Sequence, residues 1–214
     1  MNPDENETNS GSSRVRMRPA PGSSKSDWRR YFRAQLAQLS PAGRASASSL
    51  LRQRLEAQPE WQRARTVLAF LPTGDEPDIF PLALVALDAG KSLALPCHAP
   101  ASDSYVAARV TDLSLDLVPG RFGILEPAPQ CPILPPNELD FCLVPGLGFA
   151  LDGGRLGRGR GYFDRLLAAV PGFKCGVAFD CQVVPELPSE LHDVRLDCLL
   201  TPTRWHPTAS RARP

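Results

Sequence analysis

The hydrophobic pattern begins to repeat at residue 24 and at first has the period of a helix. Trp28, Phe32, Leu36 and Leu39 recur on one stripe of a helix, and Ser24 stands where a capping residue is expected. Ser40-Pro41 ends this segment and favours a new start, since proline suits the first helical position. A second helix is therefore predicted through ASSLLRQRLEAQ.

From residue 66 onward, short apolar runs alternate with segments of helical periodicity. Continuous apolar runs of this length are typical of buried strands. The alternation predicts an α/β fold, a three-layer sandwich with a mostly parallel sheet and helices on both faces. The predicted strands cover 66–72, 91–96, 105–110, 140–146, 173–179 and 196–202, and the predicted helices cover 77–90 and 161–170.

The ends of the chain lack this patterning. Residues 1–23 are polar and rich in Ser, Pro and Gly, which predicts a disordered N-terminal tail. Residues 204–214 are interpreted as a C-terminal tail, which leaves 24–203 as a single domain. With 214 residues and 43% hydrophobic residues, the chain has enough length for a substantial core.

Charge and cysteine content narrow the function classes. A net charge of +1 argues against nucleic-acid or membrane-surface binding, which needs an excess of Lys and Arg. The N-terminus has no apolar segment typical of a secretory signal, and the six cysteines form no C-x-x-C pair. We therefore expect a monomeric cytoplasmic protein with a small-molecule partner, no nucleic acid and no membrane.

The segment LVPGLGFALDGGRLGRGRGYFD (143–164) carries the most distinctive chemistry. Seven of the chain's 16 glycines lie between Gly146 and Gly161, interspersed with Arg155, Arg158 and Arg160. The segment follows a predicted strand and precedes a predicted helix, the position where ligands bind in such folds. Backbone N–H groups, arginines and the positive end of a helix dipole together favour phosphate. The alternative is a loop that is merely flexible.

Several other polar residues allow either a ligand-binding or a purely structural interpretation. Asp164, directly after the loop, is either a Mg²⁺ ligand beside bound phosphate or an acid that complements the helix dipole. Lys25, Arg29 and Arg33 form a basic helical stripe that either reaches an anion or faces solvent. Glu76 lies between a predicted strand and a predicted helix, where it either contacts a ligand at the edge of the sheet or has a capping role. Asp193 is interpreted by default as a surface acid.

The glycine-arginine segment closely resembles the signature of the 5-formyltetrahydrofolate cyclo-ligase family. The resemblance continues through Lys25-x-x-x-Arg29, FLPTGDEPD, GILEP and ELHDVRLDCLLTP, in order, over about residues 24–203. It implies ATP-dependent conversion of 5-formyltetrahydrofolate to 5,10-methenyltetrahydrofolate with Mg²⁺, giving ADP and phosphate. The implied route phosphorylates the formyl oxygen, after which N10 attacks the formyl carbon.

The resemblance also assigns roles to residues. It implies catalytic roles for Arg158, Arg160 and Tyr162, and Mg²⁺ ligation by Asp164 and Asp193. Folate would contact Leu71, Glu76, Arg158, Gly159, Arg160, Gly161 and Tyr162. ATP would contact Lys25, Arg29, Arg155, Leu156, Gly157, Arg158, Gly159, Arg160, Gly161, Tyr162 and Phe163.

Three positions depart from the family pattern. Phe163 stands where Tyr is more usual, Arg160 where Lys or Gly occurs, and Ala150 where Asp is common, so position 163 lacks the usual hydroxyl. Two alternatives stay open: a sugar-phosphate isomerase or transferase on a related fold, and a non-catalytic folate- or nucleotide-binding protein. The sequence shows no Ser-His-Asp or Cys-His arrangement, and phosphoryl transfer needs none.

Overall fold

The computed structural model describes residues 17–20, 22–120 and 123–208. An eight-stranded sheet runs through the molecule in the order β13-β12-β10-β7-β1-β2-β3-β6. Its five central strands, β12, β10, β7, β1 and β2, are parallel, and antiparallel strands extend both edges. Its strands are β1 (Thr66–Leu68), β2 (Ser92–Ala99), β3 (Ser104–Val110), β6 (Ile133–Leu134), β7 (Phe141–Val144), β10 (Phe173–Val177), β12 (Cys198–Leu200) and β13 (Trp205–Pro207).

Helices cover both faces of this sheet because successive strand residues point to opposite sides. Leu93 and Leu95 of β2 face the same apolar cluster as α2 (Pro41–Glu56), α3 (Pro59–Arg63) and α4 (Phe80–Asp88). Ala94, between them, joins the cluster that contains α5 (Tyr162–Ala168). The predicted α/β sandwich with a mostly parallel sheet is confirmed.

The first helix packs on a smaller sheet instead of the large one. α1 (Lys25–Leu36) is capped by the Ser24 side chain, which accepts from the Asp27 N–H. Its buried residues Trp28, Phe32 and Leu36 share a cluster with Leu147 and Leu156. The small sheet has the order β11-β8-β9 and consists of β8 (Gly148–Ala150), β9 (Arg155–Leu156) and β11 (Val183–Val184).

Two of these strands lie inside the glycine-rich segment that the sequence predicts as one continuous loop. β8 and β9 pair antiparallel, with Phe149 opposite Arg155. The prediction missed this hairpin because its strands have two or three residues and are rich in glycine, which has low strand propensity. Burial of Phe149 and pairing with β11 hold the hairpin in place.

The predicted C-terminal tail is wrong in its first residues. β13 pairs with β12, and Thr208 is buried with its hydroxyl donating to the Leu196 carbonyl. The domain therefore continues past residue 203, through at least Thr208, while 209–214 lie outside the described residues. Most of the predicted N-terminal tail, residues 1–16 and 21, also lies outside them, but the Arg18 guanidinium sits 5.5 Å from the Trp28 ring centroid.

A hairpin of β4 (Leu117–Pro119) and β5 (Leu125–Pro127) completes the strands. None of the helices in the described part of the chain combines the length and the apolar character that a bilayer crossing needs.

The contact between α1 and β8 leaves no room at Gly148. A Cβ built there would lie 2.0 Å from Cε2 of Phe32, whose ring is fully buried. We expect Gly148→Ala to lower the free energy of unfolding by about 1–3 kcal/mol, the usual scale for overpacking. Urea denaturation is the measurement. Gly74→Ala is the control, since nothing lies within 4 Å of the added methyl, and an equal effect of both changes would contradict the tight packing.

Candidate active site

A cleft of about 420 Å³ opens at the carboxyl ends of the parallel strands. Parallel strands bring their carboxyl ends to one edge of the sheet, and ligands bind there in open α/β folds. Residues that follow β1 and β7 line it, together with Leu95 and Pro96 of β2 and Leu125 and Glu126 of β5. The cleft is lined by Phe70, Leu71, Thr73, Glu76, Leu95, Pro96, Tyr105, Ile124, Leu125, Glu126, Pro145, Gly146, Arg155, Gly157, Arg158, Arg160, Gly161, Tyr162, Phe163 and Asp164.

The loop between β9 and α5 supplies the basic side of the cleft. Gly159 has φ +114° and Gly161 has φ +66°, conformations that glycine adopts without strain. Gly161 precedes the first residue of α5. Glycine has no side chain that could accept a hydrogen bond, so the first N–H groups of α5 are not capped from this position.

Arg155 is buried at the base of this loop. Its Nη2 lies 2.7 Å from Oδ2 of Asp164, and its Nη1 donates to the Pro145 carbonyl at 3.1 Å. The side chain is only 4% exposed, yet its Nε finds no acceptor among the described residues. A buried donor without a partner costs about 1–3 kcal/mol.

Arg158 crosses the cleft to the loop after β1. Its Nη2 lies 2.6 Å from Oδ1 of Asp75 and 3.1 Å from Oε1 of Glu76, and donates to the Thr73 hydroxyl at 2.9 Å. The Glu76 side chain is only 8% exposed, and its second oxygen accepts from the Thr73 N–H. The two predicted substrate residues Arg158 and Glu76 are thus in contact.

Asp75 is the functional candidate that sequence reasoning missed. Burial acts to raise the pKa of Asp75, but the hydrogen bonds and charge of Arg158 hold that pKa below its ordinary value. The acid pair in TGDEP, following a strand, could have drawn attention to it. The position of Glu76 before a predicted helix favours Glu76 instead, but Asp75 makes the shorter contact with Arg158.

The basic stripe of α1 reaches the loop from the other side. Arg29 donates from Nε to the Gly157 carbonyl at 2.9 Å, so this side chain binds the loop backbone and does not face solvent alone. Arg33, one turn further, is exposed. Lys25 lies 2.8 Å from Oδ2 of Asp193 and 3.2 Å from Oε1 of Glu190.

The two predicted metal ligands belong to separate ion pairs. Asp164 contacts Arg155 inside the cleft, whereas Asp193 contacts Lys25 and is not among the lining residues. Burial acts to raise the pKa of Asp193, but the hydrogen bond from Lys25 keeps it below its ordinary value. Within the described ranges, no group of three or more His, Cys, Asp or Glu side chains could hold a metal ion.

The remaining predicted residues divide between the cleft and its support. Leu71, Gly157, Arg160, Gly161 and Phe163 line the cleft. Tyr162 also lines it, and its hydroxyl donates to Oδ1 of Asp103 at 3.2 Å. Leu156 does not line the cleft, because its side chain is buried in the cluster beneath α1. Gly159 is likewise outside the lining and lies against the Arg29 guanidinium.

Comparison with known proteins identifies a family for this arrangement. Residues 21–202 match the model of the 5-formyltetrahydrofolate cyclo-ligase family. A 5-formyltetrahydrofolate cyclo-ligase from Mus musculus is 30% identical over 83% of this chain and 93% of its own length. The enzyme of that name from Escherichia coli K12 is 34% identical over 71% of this chain and 85% of its own length.

Solved structures agree with the family match. A 5,10-methenyltetrahydrofolate synthetase from Aquifex aeolicus superposes with a TM-score of 0.78 at 34% identity, covering 86% of this chain and 93% of that one. A synthetase from Mycoplasma pneumoniae, at 18% identity and a TM-score of 0.68, shares the fold. The matched residues include α1, the glycine-arginine loop and every strand of the large sheet except β13, and the chain belongs to the 5-formyltetrahydrofolate cyclo-ligase family.

Proposed function

We propose that this protein converts 5-formyltetrahydrofolate to 5,10-methenyltetrahydrofolate and uses ATP, which becomes ADP and phosphate. Family membership supports the folate reaction. The observation that carries the use of ATP is the glycine-arginine loop, whose Arg158 reaches Glu76 on the opposite wall of one cleft. A loop suited to phosphate and an acid suited to folate therefore meet at a single guanidinium. A cytoplasmic, monomeric state stays a prediction.

The chemistry requires the two substrates to react with each other inside the cleft. The γ-phosphoryl group transfers to the formyl oxygen, which makes that oxygen a good leaving group. N10 then attacks the formyl carbon, the new ring closes, and inorganic phosphate departs. Such transfer needs positioning and charge stabilisation more than a protein nucleophile. We propose that Arg155, Arg158 and Arg160 stabilise the charge that develops on the phosphoryl oxygens.

Further site residues take supporting roles in this proposal. Leu71 and Glu76 contact the folate, with Glu76 accepting hydrogen bonds from its donor groups. Tyr162 lies against the folate and is held through its hydroxyl by Asp103. Lys25 and Arg29 of α1 contribute to ATP binding, and Arg29 does so by fixing the loop at Gly157. The backbone of residues 157–161 meets the phosphates, since its glycines allow close approach.

Asp164 is a suitable carboxylate for Mg²⁺ in this cleft. Mg²⁺ usually takes one or two carboxylates together with phosphate oxygens and waters, so a protein-only cluster is not required. The Asp164 side chain is 15% exposed and gives one oxygen to Arg155, which leaves its other oxygen for a cation. Bound there with ATP, the ion would neutralise phosphate charge. The role of Asp193 as a second Mg²⁺ ligand stays a prediction, because Asp193 forms an ion pair with Lys25 in this structure.

The first test is an assay of ATP hydrolysis with and without 5-formyltetrahydrofolate. We expect ADP and 5,10-methenyltetrahydrofolate to appear in equal amounts, and little ADP without the folate. The methenyl product is followed by its absorbance and ADP by a coupled assay. Binding of both ligands with no product would instead indicate a non-catalytic protein. Folate turnover without consumption of ATP would contradict the proposed route.

The contact between Arg29 and the loop predicts a nucleotide-specific defect. We expect Arg29→Ala to raise the KM for ATP about ten- to a hundredfold, the scale of one charge-assisted hydrogen bond, with a much smaller change in the KM for folate. Arg33→Ala, on the same stripe but exposed, is the control and should resemble the wild type. A lower melting temperature with an unchanged KM for ATP would show that Arg29 is only structural.

Removal of the Asp164 charge predicts a defect that depends on Mg²⁺. We expect Asp164→Asn to lower turnover by about ten- to a thousandfold, with partial recovery at higher Mg²⁺. Steady-state turnover across a Mg²⁺ titration is the measurement, and a wild-type rate with the wild-type Mg²⁺ midpoint would exclude the ligand role. In the same titration, we expect Asp193→Asn to behave alike but more mildly. An increase in the KM for ATP with an unchanged Mg²⁺ midpoint would show that Asp193 only holds Lys25.

A further inference from the structure

Asp75 makes the shortest contact between the two loops that face each other across the cleft. Its Oδ1 lies 2.6 Å from Nη2 of Arg158, and its Oδ2 accepts from Nη1 at 3.4 Å, so both oxygens face one guanidinium. We propose that Asp75 is a positioning residue for the reaction, which holds Arg158 where the phosphoryl group is transferred. The inference rests on the proposed function, which assigns Arg158 to that group.

The loop that carries Arg158 cannot fix this side chain by its own backbone. Arg158 stands between Gly157 and Gly159, and Gly159 has φ +114°, so the backbone on either side has unusual conformational freedom. The Arg158 side chain is also 44% exposed, so packing restrains it only in part. Its orientation therefore has to come from hydrogen bonds to another part of the chain.

The loop after β1 is well suited to provide those bonds. Asp75 accepts from the Thr73 hydroxyl at 2.9 Å, and the Thr73 N–H donates to Glu76 at the same distance. The Gly74 carbonyl accepts from Nη1 of Arg44 at 2.5 Å, which ties the loop to α2. Asp75 thus belongs to a braced turn, and the restraint passes from that turn to Arg158.

Glu76 could not hold Arg158 in place of Asp75 without losing its own proposed role in contacting the folate. Its two oxygens already receive Nη2 of Arg158 and the Thr73 N–H, and its side chain is nearly buried. If Asp75 were absent, Arg158 would either fall more fully on Glu76 or turn into solvent. In the first case, Arg158 would occupy Glu76, the acid proposed to contact the folate. In the second case, the positive charge of Arg158 would move away from the phosphate.

The test is Asp75→Asn, which keeps the shape of the side chain and its hydrogen bond with Thr73 but removes the charge. We expect kcat/KM to fall about ten- to a hundredfold, the scale of a misplaced catalytic group, with the melting temperature within a few degrees of wild type. Asp152→Asn is the matched control. It removes an Asp–Arg pair of equal length, 2.6 Å to Arg195, that lies outside the cleft lining.

A double-mutant cycle with Arg158→Ala tests whether Asp75 acts through Arg158. If it does, the double variant should be no more than about twofold worse than Arg158→Ala alone, because coupled residues are not additive. The cycle is run on kcat/KM and also on the Kd for ATP measured without folate. Multiplying effects, or a loss no larger than that of Asp152→Asn, would overturn the role of Asp75. Because the Kd needs no turnover, a failure of the proposed reaction in the wild type is distinguished from a failure of this inference.

Discussion

A loop with glycine at every second position from Gly157 to Gly161 has too much conformational freedom to hold its own shape, and the site exists only because other elements hold it. Arg29 of α1 bonds the Gly157 carbonyl on one side, and Asp75 and Glu76 receive Arg158 on the other. The position of α1 in turn follows from Phe32, whose ring fits against Gly148 with no space for a methyl group. The packing of one small sheet therefore sets where the basic loop lies.

Charge is compensated in the same manner throughout the site. Arg155 is paired with Asp164, Arg158 with Asp75 and Glu76, and Lys25 with Asp193 and Glu190. The partners of Arg158 and Lys25 come from distant parts of the chain, so these ion pairs also crosslink separate segments. An anionic substrate entering the cleft would meet donors that are already oriented, which reduces the reorganisation that the reaction requires.

The same pairs link the stability of the site to pH. Asp75 and Asp193 both have a pKa lowered by a neighbouring cation. A carboxylate with a lowered pKa in the folded state stabilises the fold above its unfolded pKa of about 3.9. That contribution is lost as the pH falls through the lowered values, so it is fully present near neutral pH. Both groups are partly exposed, and solvent screening reduces the energy involved.

How much could be predicted from the sequence differs between the fold and the site. The apolar runs and the capped amphipathic helix predict the parallel core and α1, because burial and periodicity are local properties of a segment. The glycine-arginine segment likewise indicates a phosphate-binding loop, and Leu71, Glu76 and Arg158 do line one cleft. The β8–β9 hairpin and β13 escaped prediction, because such short strands form only when a neighbouring strand is present to pair with them.

Tertiary structure alone decided which charges meet. No spacing in the chain relates Asp75 to Arg158, 83 residues apart, or Lys25 to Asp193, 168 residues apart. The family resemblance gives Asp164 and Asp193 the same metal role, yet the fold pairs Asp164 with Arg155 and Asp193 with Lys25. The physical reason is that an ion pair depends on a distance of a few ångströms between side-chain atoms, which only the packing of the sheets and helices sets. The sequence determined the kinds of chemistry present, and the packing decided their partners.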